Sequence, residues 1–219
     1  MTEMIDPLPA LPRLILVYAS PAHRRADSLI WSLDTRLAGI IRSTRDPLIG
    51  QMRIVWWEEA LGEASGATGR GDPLLDALRI EGVAGLPALQ SLLGGWEALL
   101  NDEWDDAGLK DYADGRGGGL FAALGRASQA PSWLAAAGRL WAYWDLSGHV
   151  RDNRLQQRAI VLARRELAAL EGVKWPRQWK ALRLLTGLAS HDVRRGRAAP
   201  LGLTPGLYMR VLWLSAKGG

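Results

Sequence analysis

The stretch PAHRRADSLIWSLDTRLAGIIRST, residues 21–44, decides the fold class. At 100° per residue, Ala26, Leu29, Ile30, Leu33, Leu37, Ile40 and Ile41 gather on one broad apolar face. Arg25, Ser32, Arg36 and Ser43 fall opposite and are expected in solvent. Ser20 before Pro21 has the order of a helix N-cap followed by proline at the first helical position. One border of the apolar face carries Arg24, Asp27, Trp31, Asp34, Ala38 and Arg42. Its alternating charges predict a row of local ion pairs, each worth about 0.3–0.5 kcal/mol.

Outward from this segment the same punctuation recurs. Asp46-Pro47 starts a helix over 47–64, and a second begins at Pro73 and runs to about 81. A third covers 87–101, weakened by Gly94-Gly95. Residues 107–127 are helical in pattern, although Gly115 to Gly119 are expected to loosen or interrupt them. Helices follow over 132–153, 154–171 and 176–195, and Thr204-Pro205 opens a last one ending near Ala216. No β-alternating stretch of convincing length, internal repeat or heptad run is present. The expectation is an all-α bundle of about eight helices in a single domain over 1–219.

Composition narrows the chemistry. With 219 residues the chain buries roughly 70% of its unfolded surface and needs no covalent staples. Cysteine is absent, which excludes disulfides, thiolate zinc sites and cysteine nucleophiles. The opening MTEMIDPLPALPRLILVY is acidic and broken by Pro7, Pro9 and Pro12, unlike a secretory leader, and no apolar run approaches the ~20 residues of a membrane span. A cytoplasmic address, with contact at a membrane surface left open, is expected. Most of the 27 basic residues are arginine, since only Lys110, Lys174, Lys180 and Lys217 are lysine. Guanidinium forks suit phosphates and carboxylates, so diphosphates, anionic lipids and nucleic acid all stay open as partners, nucleic acid the least expected of them. Eleven tryptophans at helical spacings read as core wedges rather than as a platform for stacked bases.

Residues 13–61, RLILVYASPAHRRADSLIWSLDTRLAGIIRSTRDPLIGQMRIVWWEEAL, resemble the N-terminal part of the squalene/phytoene synthase family. Tyr18, Arg24-Arg25, Trp31, Leu33 and the stretch from Met52 to Leu61 carry the likeness. It continues more weakly through LKDYADGRGGGLF and DLSGHVRD, and the C-terminal third is shorter than the family's. The resemblance implies an isoprenoid-synthase-like bundle around a central cavity. It further implies two aspartate-rich motifs on facing helices that hold Mg²⁺ for the ionisation and head-to-head coupling of prenyl diphosphates. Mg²⁺ is a hard cation that takes carboxylate oxygen, and it must neutralise charge on the leaving diphosphate. The chain departs from that pattern. Alignment on Leu33 places Ala38, Gly39 and Arg42 where the first carboxylates belong, with Asp34 one turn earlier on the same strip. Asp152 matches the first acid of the second motif, but Leu155 and Gln156 follow it.

Asp145, His149 and Asp152 are spaced i, i+4, i+7, so on one helix they would share a stripe able to hold a divalent metal, although a polar helix face with His149 between two carboxylates is the reading to prefer. GRGGGLF at 115–121 follows no strand, so its glycines read as close helix contact, with Arg116 available to a diphosphate. His191, Asp192, Arg194, Arg195 and Arg197 end a helix, where cations complement the dipole, and the same cluster could touch anionic headgroups or nucleic acid. Two functions stand against each other. One is a catalytically degenerate synthase-like protein binding an isoprenoid, a lipid or a partner protein, as in the branch of the family that includes a mitochondrial complex I assembly factor. The other is an active Mg²⁺-dependent prenyltransferase, with a basic helical adaptor a distant third. Tyr18, Arg24, Arg25, Trp31, Arg42 and Arg116 are the expected ligand-binding residues. Asp145, His149 and Asp152 are the expected metal ligands under the enzyme alternative, and without it no cofactor is expected.

Overall fold

A computed structural model describes residues 7–63, 71–100, 104–126 and 130–216. All regular structure among them is helical, with no strand. The order is α1 (Ala10–Leu16), α2 (Arg24–Ser43), α3 (Pro47–Gly62), α4 (Pro73–Ile80), α5 (Pro87–Glu97), α6 (Asp106–Tyr112), α7 (Gly119–Gly125), α8 (Ser132–His149), α9 (Asn153–Glu166), α10 (Lys180–Val193) and α11 (Pro205–Ala216). The aspartate-proline starts hold. Asp46 accepts from the Leu48 N–H at 2.9 Å, and Asp72 accepts from the N–H groups of Leu74 and Leu75. Thr204 caps α11 by accepting from Leu207 N–H at 3.2 Å.

Two expected helix bounds are corrected, and two further features stand beside them. The helix expected over 21–44 begins at Arg24, because residues 21–23 are spent turning the chain back from α1. His23, not Ser20, is its N-cap, and no side-chain cap bond is made. The proline-rich N-terminus also forms a helix, α1, with Pro12 inside its first turn, where the missing N–H has no intrahelical partner to lose. The helix expected over 132–153 stops at His149, because Asp152 caps the next one through Arg154 N–H at 2.7 Å. Gly115 to Gly119 loosen their helix, the milder of the two outcomes expected, without interrupting it. Residues Ala113–Gly118 widen into a π-helical turn that joins α6 and α7 without leaving right-handed helical geometry.

That π turn shapes the centre of the molecule. A Cβ on Gly115 would overlap the backbone of Gly95 in α5, and one on Gly117 would overlap the carbonyl of Gly138 in α8. Backbones therefore touch on both sides, and the turn is sunk between α5 and α8. Arg116, carried on it, is thrust into the interior. Six tryptophans are buried, among them Trp31, Trp96, Trp141 and Trp144, in keeping with their expected role as wedges.

The first long helix is buried more completely than one apolar face requires. Its border strip turns inward, with Asp27, Trp31, Asp34 and Ala38 all buried and only its ends, Arg24 and Arg42, exposed. Ser32, placed in solvent by periodicity, is also buried, and Arg36 is half-buried against Asp72.

Candidate functional site

The strip's acids pair over long distances, not along the helix. Asp27 accepts from Arg126 at 2.6 Å. Arg126 ends α7 in the left-handed region at φ 47°, an uncommon position for a residue with a Cβ. Burial raises the Asp27 carboxyl above its usual value against the pull of that guanidinium.

Asp34 makes the larger arrangement. Arg116 donates from Nε to Asp34 Oδ1 and from Nη2 to Asp34 Oδ2, both at 3.0 Å. Its Nη1 donates to Asp145 Oδ2 at 2.6 Å and to the Tyr112 hydroxyl at 2.5 Å. Trp96 Nε1 donates to Asp34 Oδ1 at 2.8 Å. Four of the five guanidinium N–H donors are thus used. The rings of Trp96 and Trp141 lie 4.4 and 4.6 Å from the guanidinium carbon. Arg116 is 5% and Asp34 3% exposed. Burial by itself would favour a neutral Arg116, but Asp34, Tyr112 and Asp145 hold it charged, well above the ordinary arginine value. Burial also pushes the Tyr112 hydroxyl far up, so it stays protonated.

This knot is the floor of a cavity of about 250 Å³, near the lower end of small-molecule pockets. Trp31, Trp96, Trp104, Tyr112, Trp141 and Trp144 supply much of its wall. Arg42 and His149 line it as well, and the Pro9–Pro12 segment and residues 199–202 complete it. The cavity gathers five residues expected from the sequence: Trp31, Arg42, Arg116, Asp145 and His149.

The others lie elsewhere. Tyr18 sits under Lys180, whose Nζ is 5.4 Å from the ring. Arg24 donates to the carbonyls of Leu16 and Ala19 behind α1. Arg25 pairs with Glu81 at 2.6 Å on the surface. Asp152 caps α9, so the helical stripe expected to join it to Asp145 and His149 is broken at residues 150–152. His149 approaches Asp145 through its ring Nδ1, 2.8 Å from the Asp145 carbonyl oxygen.

Comparison with protein-family models, curated proteins and solved structures finds no match to this chain. Its own residues carry the functional reading.

The resemblance to prenyl synthases implies Mg²⁺ between carboxylates of facing helices, and the residues here fit that ion poorly. Asp34 on α2 and Asp145 on α8 do converge, but on the guanidinium of Arg116. A divalent ion ~5 Å from that buried cation would meet roughly 7 kcal/mol of repulsion at an effective dielectric of 20. No group of three or more His, Asp or Glu with metal-binding geometry occurs among the described residues. Asp34 was visible in the sequence as an acid on the border strip expected to form an ion pair, though not with a residue as distant as Arg116; Trp96, Tyr112 and Trp141 carried no local signal of their roles.

Proposed function

We propose that the protein is a catalytically degenerate relative of the squalene/phytoene synthases that binds a single isoprenoid or comparable apolar lipid in its central cavity. The observation that supports this most directly is Arg116, whose guanidinium occupies the space between Asp34 and Asp145. A guanidinium fixed to the chain neutralises the facing acids without metal, and with its donors committed to them it offers little to a diphosphate. What remains open to a ligand is largely indole and aliphatic surface. The cavity's modest size favours one chain over two lying side by side.

Tryptophan emission is the direct test, because several indoles wall the cavity. Farnesol or geranylgeraniol should quench it saturably, and Ala38→Trp, which fills the cavity from α2, should abolish the change. Mg²⁺-dependent release of diphosphate from farnesyl or geranylgeranyl diphosphate, lost in Asp34→Asn or Asp145→Asn, would overturn the proposal in favour of an active prenyltransferase. Absence of saturable binding by either alcohol would overturn the ligand reading itself.

A further inference from the structure

The last stretch of the chain, RRGRAAPLGLTPGLYMRVLWL at 194–214, combines features the cavity floor does not explain. Helix α11 buries Leu207 and Val211 against α10. Tyr208, Leu212, Met209 and Trp213 lie on its outer side within an arc of about 140° that contains no charged residue. All four are exposed, Met209 to 62%. Leu203 and Leu201, the latter 79% exposed, extend the apolar surface into the preceding loop.

Beside this surface the charge is strongly positive. Arg194, Arg195 and Arg197 are exposed at the end of α10, and among the described residues Arg194 and Arg197 have no carboxylate partner. Arg164 reaches the Val193 carbonyl at 3.1 Å, and Arg183 donates to the Leu214 carbonyl, so both join the same end of the bundle. Asp192 is the acid within the group, and Arg210 of α11 holds it at 2.7 Å. Burial first, then the charges of Arg210, Arg195 and Arg197 with Asp192 opposing, lower the His191 imidazole below its usual value, and Arg195 donates to the His191 carbonyl at 3.1 Å.

We infer that the end of the bundle formed by the Arg194–Arg197 turn, the 198–204 loop and α11 docks on an anionic lipid surface. An apolar helix face bearing Tyr and Trp, flanked by arginines, has the makeup of a segment lying in the headgroup layer. Charge complementarity selects the occupant: the arginines attract anionic headgroups while the uncharged face of α11 enters the acyl boundary. The surface is continuous with the cavity, since Leu201, Gly202 and Leu207 line it too. Docking therefore turns that side of the cavity toward the bilayer.

The absence of cysteine permits a clean test. A single Met209→Cys substitution carrying a polarity-sensitive fluorophore should blue-shift with phosphatidylserine-containing vesicles and not with pure phosphatidylcholine. The same label at Ile80→Cys on α4 should stay unchanged. In co-sedimentation, Arg194→Gln and Arg197→Gln should each weaken binding roughly fivefold and flatten its salt dependence. Leu212→Ser with Trp213→Ser should lose binding with helicity intact. Docking does not depend on the cavity ligand, so Ala38→Trp should dock normally even while failing to bind prenyl alcohols. No blue shift with anionic vesicles, equal binding to neutral ones, a label buried instead in a dimer without lipid, or displacement of the vesicles by duplex DNA would each overturn the inference.

Discussion

Arg116 and Arg194 are the same residue type under opposite conditions, one at the floor of the cavity and one near the surface that extends from it. Arg116 is desolvated, uses four N–H donors on Asp34, Asp145 and Tyr112, and is stacked between two indoles. Arg194 is exposed, with no carboxylate partner among the described residues. The difference lies in the surroundings. A buried charge is tolerated only when paired and hydrogen-bonded, so Arg116 is consumed by structure. A hydrated charge keeps its interaction energy for an external partner. Arginine abundance in the sequence thus says little until burial separates the two uses.

The largest expected effect breaks the floor. Arg116→Met leaves Asp34 and Asp145 facing each other without a cation and should cost about 3–5 kcal/mol in denaturant unfolding. Adding Asp34→Asn and Asp145→Asn to it should recover most of that loss. If the single substitution is neutral, the knot does not hold the core. An Arg116→Ala variant should gain thermal stability from added Mg²⁺ or Mn²⁺ while the parent does not, since only the variant frees the facing carboxylates.

Next in size is the backbone contact that seats Arg116. Gly138→Ala places a Cβ against the Gly117 carbonyl and should cost about 1–3 kcal/mol through overpacking, read by thermal unfolding. Smaller again is Asp152→Ala. Losing the α9 cap should cost about 1 kcal/mol. It should leave divalent-ion affinity in calorimetry unchanged; a fall in metal affinity would restore Asp152 to a metal site.

The smallest effect belongs to the basic surface. The His191 value is lowered in the folded chain, so the folded state binds fewer protons there than the unfolded one. Its contribution to stability is full above about 6.5, the ordinary histidine value, and is lost as pH falls through the folded value. His191→Asn should remove that shallow acid-side decline. Anionic vesicles, by offsetting the arginine field, should move the His191 titration upward by NMR.

Local features were legible where the chemistry is local. Asp46-Pro47 and Thr204-Pro205 opened helices as expected because an N-cap and its proline act within one turn. The apolar face of α2 was legible for the same reason: helical period alone places Leu29, Leu33 and Leu37 together. The candidate site was only half legible. Trp31, Arg42, Arg116, Asp145 and His149 do meet in the cavity. Asp152 and Asp145 were assigned to one stripe because periodicity cannot foresee that a helix stops at His149 and the acid caps the next. The border strip of α2 had the composition of a solvated edge; only the helices packed against it show that its acids are buried.

By itself, then, the sequence determined an all-helical chain, several of its helix starts and much of its apolar core, since each follows from contacts a few residues apart. The tertiary structure alone decided that Arg116 meets Asp34 across 82 residues and Asp145 across 29. That meeting requires two close backbone approaches, Gly95 with Gly115 and Gly117 with Gly138. Pairing between distant segments is set by how helices pack, and close packing of whole surfaces has no signature in the spacing of neighbouring residues.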